Sequence, residues 1–227
     1  HQESTEPAHL EKLRNTAHAI FDRLKRWKAP EVHLHMPHHT HQEGWAFTEG
    51  LALSAYEFAR YKPAQLDFFE HIQLVGEPFS SQMVEELEGL IRGVFWARDL
   101  VNEPTIELNS VRYAEVLAQK GQEWGFGVET LHMDQIREEK MGGLLAVNYG
   151  SPIPPTFNIL THRPENAVNR KPIVVVGKGI VYDTGGLSLK PTPNSMDFMK
   201  ADMGGSAAVA GAMAALAQNK VPLYVIA

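Results

Sequence analysis

Apolar residues recur at helical spacing near the start of the chain, at Leu10, Leu13, Ala17, Ile20, Phe21, Leu24 and Trp27, and predict an amphipathic helix. Alternation then takes over. Val32, Leu34 and Met36 are separated by His33 and His35, the period of a short strand with one wet face. The pattern next predicts a helix from Glu43 to Tyr61, a strand-like run from Asp67 to Val75, and a long helix from Ser81 to Val101 with Ser81 as its cap. After Pro104 helices and strands interleave. A helix from Ser110 to Trp124 precedes a strand around Phe126 to Leu131 and a short helix reaching Lys140. Strands follow near Leu144 to Val147, Thr156 to Leu160 and Ile173 to Val176, the last an apolar run that reads as a buried parallel strand. A helix from about Gly204 to Gln218, rich in Ala and Gly for close packing on a sheet, leads to a last strand from Val221 to Ala227. That order predicts an α/β fold.

Composition narrows the function. The chain has 227 residues, 44% of them hydrophobic, enough for one or two cored α/β units. Its net charge of −6, without a basic patch, argues against nucleic acid or an anionic membrane as a partner. There is no cysteine, which removes disulfides and thiolate metal sites and suits a reducing, cytoplasmic setting. No apolar run approaches the ~18 residues of a membrane span. His1 is not an initiator methionine, and the final strand ends without the crossover that a parallel sheet requires, so an internal portion of a longer chain is expected.

Candidate chemistry is concentrated after Val176. Lys178 comes two residues after the apolar run, where it must snorkel to water, pair with a carboxylate, or lose its proton and become a possible metal ligand. Asp183 and Asp202 are hard oxygen donors, and two carboxylates held close together favour a cation between them. Thr184-Gly185-Gly186 is a glycine turn, and Lys190 beyond it supplies a positive charge suited to an oxyanion. The start of the Gly204 helix points its dipole at the same place. A nucleotide site does not fit, because Gly177-Lys178-Gly179 lacks the Ser or Thr and the earlier glycine of a phosphate loop. His33, His35, His38, His39 and His41 form a second concentration of donors, but they read as the outer face of a strand and a loop, without a carboxylate partner at ligand spacing.

The segments Gly177 to Lys190 and Met196 to Gly205 resemble the signature of the leucine aminopeptidase (cytosol aminopeptidase) family of two-metal exopeptidases. Arg98 to Pro104 resembles that family's A-R-D-L-V-N-x-P stretch, and Met141 to Val147 its G-A-L-L-A-V strand, so the likeness runs from about Glu49 to the end. It implies the end of an N-terminal α/β domain at 1–80, a linker helix at 81–104, and the first part of a mixed-sheet metallopeptidase catalytic domain at 105–227. Arg98 to Pro104 is read as architecture, with no catalytic role. By resemblance Lys178 ligates one metal, Asp183 bridges two, and Asp202 completes the first shell. Lys190 is the electrophile facing the scissile carbonyl, and Met199 lines the pocket for the substrate's N-terminal side chain. The implied activity is release of N-terminal residues, leucine-like ones expected, from peptides with a free N-terminus. The implied cofactors are two divalent ions, manganese or zinc before magnesium or cobalt. In the complete enzyme a bicarbonate general base and a homo-hexamer are also implied. The alternatives are a noncatalytic family member acting in binding or assembly, and an amide hydrolase that is not a peptidase. Two features depart from the family pattern: the Lys190 to Asp202 interval is one residue longer than its commonest form, and the motif N-T-D-x-E-G-R, with two further carboxylate ligands and the bicarbonate-holding arginine, does not occur.

Overall fold

A computed structural model describes residues 6–63, 71–77 and 79–227. The chain divides into two compact units, 1–91 and 92–227.

In the first unit, helices α1 (Glu6–Trp27) and α2 (His41–Ser54) pack on each other beside a two-stranded parallel sheet of β1 (Val32–His35) and β2 (Ile72–Val75). Val32 pairs with Ile72 and His35 with Val75. Ala17, Phe21, Met36, Phe47 and Leu51 form the core, with Val32, Leu34 and Ile72 against it. His33 and His35 face out, as the alternation predicts. The start of α2 is set by a capping box: Thr40 Oγ1 accepts from Glu43 N at 3.2 Å, while Glu43 Oε2 accepts from Thr40 N at 2.7 Å. The helix therefore begins two residues before Glu43. It ends at Ser54, not Tyr61, where Ser54 Oγ turns back to donate to the Gly50 carbonyl at 2.6 Å. Of the expected strand from Asp67 to Val75, residues 67–70 lie outside the described residues, and β2 accounts for Ile72 onward. Helix α3 (Ser81–Asn102) begins as expected, but its cap is Ser80, whose Oγ accepts from Met83 N at 3.2 Å.

The second unit holds the C-terminal part of α3, helices α4 (Ser110–Trp124), α5 (Met133–Glu138), α6 (Gly142–Asn148) and α7 (Gly204–Gln218), and a four-stranded mixed sheet. Its strands are β3 (Gly127–Leu131), β4 (Phe157–His162), β5 (Ile173–Val174) and β6 (Val225–Ile226), in the order β3-β4-β6-β5. β3 and β6 run antiparallel to β4, and β5 runs parallel to β6. Trp96, Leu100, Leu117, Phe126, Leu160, Met213 and Val225 belong to one core, where Trp96 and Trp124 meet edge to face at 5.0 Å. Ala207, Ala210 and Ala214 of α7 share the core with Leu160 and Val225 of the sheet, as expected, and α7 also packs on α3. A Cβ on Gly93 would lie 2.6 Å from the Gly211 carbonyl oxygen, so α3 and α7 approach through bare backbone.

Two expectations are corrected. Leu144 to Val147 is not a strand but part of α6, because both ladders of β4 are taken by β3 and β6. Left without a neighbour, Leu145 N donates back to the Met141 carbonyl at 3.1 Å, and Leu and Ala favour that local solution. Ile173 to Val176 does run parallel to its neighbour, but the ladder covers only Ile173 and Val174 at the sheet edge, and the segment is exposed rather than buried.

Candidate metal and substrate site

The loop after β5 is anchored by the first turn of α7. Ser206 N donates to the Lys178 carbonyl at 2.9 Å, and a Cβ on Gly177 would stand 2.6 Å from Ser206 Cα and 2.7 Å from the Gly205 carbonyl oxygen. Gly177 is thus required by close approach, whereas Gly185 is required by its φ of 89°. The return arm passes through a 3-10 turn, Met196–Ala201, which the hydrophobic pattern did not announce. Lys200 Nζ donates to the Asn102 carbonyl at 2.6 Å and Thr105 Oγ1 to the Val181 carbonyl at 3.4 Å. Asn102, at the end of α3, and Thr105, just past Pro104, thus each hold one arm of the loop.

Four charged residues singled out from the sequence meet here. Lys178 forms an ion pair with Asp202 Oδ2, and its Nζ also lies 3.3 Å from the Asp202 carbonyl oxygen. Lys190 pairs with Asp183 Oδ2 at 2.5 Å, while Asp183 Oδ1 accepts from Gly185 N at 2.8 Å. The Lys190 ammonium, then the Gly185 N–H, hold the Asp183 carboxyl below the usual carboxylate range, and the charge of Lys178 adds to the effect. Each carboxylate therefore has its own lysine, Asp202 with Lys178 and Asp183 with Lys190. Met199, half-buried, sits in the 3-10 turn and its carbonyl caps Asp202 N at 3.2 Å.

Asp202 Oδ2 is buried, and Lys178 is the counter-charge it has among the described residues. A buried carboxylate oxygen so placed fits a cation. Among the described residues, however, no three His, Asp or Glu side chains gather at metal-binding distance. Among the described histidines of the first unit no such group gathers, although His33 Nε2 lies 2.9 Å from Glu31 Oε1. Ser206 and Tyr113 were not singled out from the sequence. The Tyr113 hydroxyl is buried beside Ser206, whose own proton goes to the Met203 carbonyl at 2.8 Å, and burial pushes the phenol up to about 12. Only a hydroxyl on the inner face of α4 hinted at this, a signal too common to use.

The profile of the cytosol aminopeptidase family catalytic domain matches residues 95–227, more than half of the chain and the whole of this site. The chain belongs to the cytosol aminopeptidase family. A probable cytosol aminopeptidase of Trichormus variabilis is 32% identical over 222 residues, 95% of this chain and 45% of that protein. The structure of the bottromycin maturation enzyme BotP in complex with Mn superimposes with a TM-score of 0.84 at 28% identity, covering 96% of this chain and 47% of that one. A tomato leucine aminopeptidase mutant gives 0.83 at 23% identity over 99% of this chain and 45% of that one, a likeness of fold. The chain thus spans about half the length of the relatives it matches. No described helix is long and apolar enough to cross a membrane.

Proposed function

We propose that the complete protein is a metal-dependent aminopeptidase that releases N-terminal residues, leucine-like ones foremost, from peptides with a free N-terminus. The observation that carries this reading is the pairing of Lys178 with Asp202 and of Lys190 with Asp183 in one loop region of a chain of this family. Asp183, Asp202 and the Lys178 amine would hold divalent cations, manganese or zinc before magnesium or cobalt. Two such ions, when bound, supply Lewis acidity toward the scissile carbonyl and a water acidic enough to ionise near neutral pH.

The chain's own residues supply the rest. As a ligand, Lys178 is a neutral amine, so its proton must leave when a cation takes its place beside Asp202. Lys190 offers a fixed positive charge to the oxyanion of the tetrahedral intermediate. Met199 lines the pocket for the side chain of the residue to be released. Further carboxylate ligands and a bicarbonate base would come from outside the matched span. The same reading makes the complete protein a cytoplasmic homo-hexamer; sedimentation at monomer mass would refute the hexamer.

The test is hydrolysis of a leucine chromogenic amide by the complete protein with added manganese. Lys190→Ala is expected to lower kcat by about 100-fold or more while manganese still binds. Metal binding without hydrolysis would favour the noncatalytic alternative. Turnover confined to amides other than N-terminal peptide bonds would favour a different hydrolase.

A further inference from the structure

A cavity of about 530 Å³, a size that suits a small molecule, opens at the end of the sheet where β5 and β6 begin, opposite to the Lys178 loop. Arg163, Pro164, Glu165, Ala167, Arg170 and Tyr224 line it. Tyr224 leads into β6, which is paired on both sides, by β4 and by β5. The loop between β4 and β5 that forms the cavity is tied down. Val168 N donates to the Pro222 carbonyl at 3.0 Å. Asn169 Nδ2 donates to the Lys171 and Tyr224 carbonyls and its Oδ1 accepts from Tyr224 N, each at 2.8 Å. Both donors of that carboxamide are spent on the loop, so Asn169 is a brace.

The other polar groups of the lining are charged. Arg163 lays its guanidinium over the Tyr224 ring, with Cζ 4.8 Å from the centroid. Stacking holds the plane of the group through its face and keeps its N–H edge for another partner. Among the described residues no carboxylate pairs with Arg163 or Arg170. We propose that this cavity binds a monocarboxylate with a small apolar body, its carboxylate taken by Arg163 and Arg170 and its body set against Pro164 and Ala167. A guanidinium fork matches the two oxygens of a carboxylate. Glu165 decides the charge of the ligand: two guanidinium groups beside one carboxylate leave a single positive charge, which one carboxylate balances, whereas a phosphate dianion adds a second negative charge next to Glu165. None of these residues belongs to the metal site, so the proposal stands apart from the peptidase reading.

The experiment titrates the complete protein with 4-methylpentanoate, its neutral primary amide and inorganic phosphate, and reads binding by saturation-transfer NMR. Both arginines are exposed, so a Kd of about 1 mM is expected for the acid. The amide, which lacks the charge, should bind about 10-fold more weakly or worse. The double variant Arg163→Gln, Arg170→Gln should weaken the acid by about 10-fold or more. Lys190→Ala, at the other end of the sheet, should leave it unchanged, which separates this cavity from the metal site. Circular dichroism establishes that each variant is folded. If the double variant does not fold, Arg170→Gln alone, at an exposed position, takes its place, with a loss of about 3-fold or more expected. No binding, equal binding of acid and amide, or binding lost in Lys190→Ala but kept in the arginine variants would overturn the proposal. Phosphate bound more tightly than the acid would overturn the ligand class. These readings are independent of catalysis, so failure of the peptidase reading leaves them intact.

Discussion

Ser206 donates its main-chain N–H to the carbonyl of Lys178 at 2.9 Å, so the first turn of α7 fixes the residue whose amine pairs with Asp202. The anchor works because Gly177 carries no side chain. Gly177→Ala places a Cβ within 2.7 Å of main-chain atoms of Gly205 and Ser206, and main chain cannot swing aside. A loss of about 1–3 kcal/mol in chemical denaturation is expected. Gly142→Ala, which meets nothing within 4 Å, is the control and should be neutral or slightly stabilising. Equal behaviour of the two variants would show that the approach is not tight.

The α3 to α7 contact gives a second expectation. Gly211→Ala would set a Cβ 2.6 Å from the Gly93 carbonyl oxygen and 2.9 Å from the Ala97 Cβ. Both helices must part, at a cost of about 1–3 kcal/mol. Thermal unfolding of the variant at neutral pH measures it, and an unchanged midpoint would contradict the packing described.

Glu43 makes the first unit sensitive to acid. Its carboxyl is lowered from an ordinary 4.5 to about 2, first by the Thr40 N–H and next by the His9 ring at 2.7 Å. Because the folded value is the lower one, the stabilisation is complete above about 4.5 and is lost as pH falls toward about 2. Glu43→Gln should therefore destabilise the protein at pH 6 by about 1 kcal/mol, the usual scale of a helix cap, with the difference closing near pH 2. Urea unfolding across that range checks it; a gap that persists at the acid end would refute the assignment.

The Tyr113 hydroxyl is buried beside Ser206 but makes no well-formed hydrogen bond among the described residues, and burial raises its phenol to about 12 against a smaller lowering by Ser206. Removing an unsatisfied buried polar atom relieves a desolvation penalty of about 1–3 kcal/mol. Tyr113→Phe should accordingly unfold at the same or a higher temperature than the parent. A marked fall in the midpoint would mean that the hydroxyl is bonded in solution.

The elements that the sequence predicts well are those whose signals are local. The apolar spacing of α1, the alternation around His33 and His35, and the span Ser110–Trp124 need only neighbouring residues, and Asn109 and Gly125 mark the ends of α4 by cap chemistry. The charged residues of the site were legible for a related reason. Lys178, Asp183, Lys190 and Asp202 stand between glycine turns at the end of an apolar run, a grouping with few structural purposes. What failed was local pattern that needs a distant partner. Leu144 to Val147 is an apolar run of strand length, yet it becomes α6 because β4 has no free edge to offer.

The sequence by itself therefore determined the α/β class, most helix spans and the residue types gathered after Val176, since periodicity, caps and turn residues act over a few positions. Only the tertiary structure decided that Lys178 pairs with Asp202 and Lys190 with Asp183, that Ser206 clamps the lysine loop, and that Val174 and Val176 lie at an open edge. Those outcomes depend on which strands pair and how closely helices approach. Such contacts join residues far apart in the chain, and short-range patterning carries no record of them.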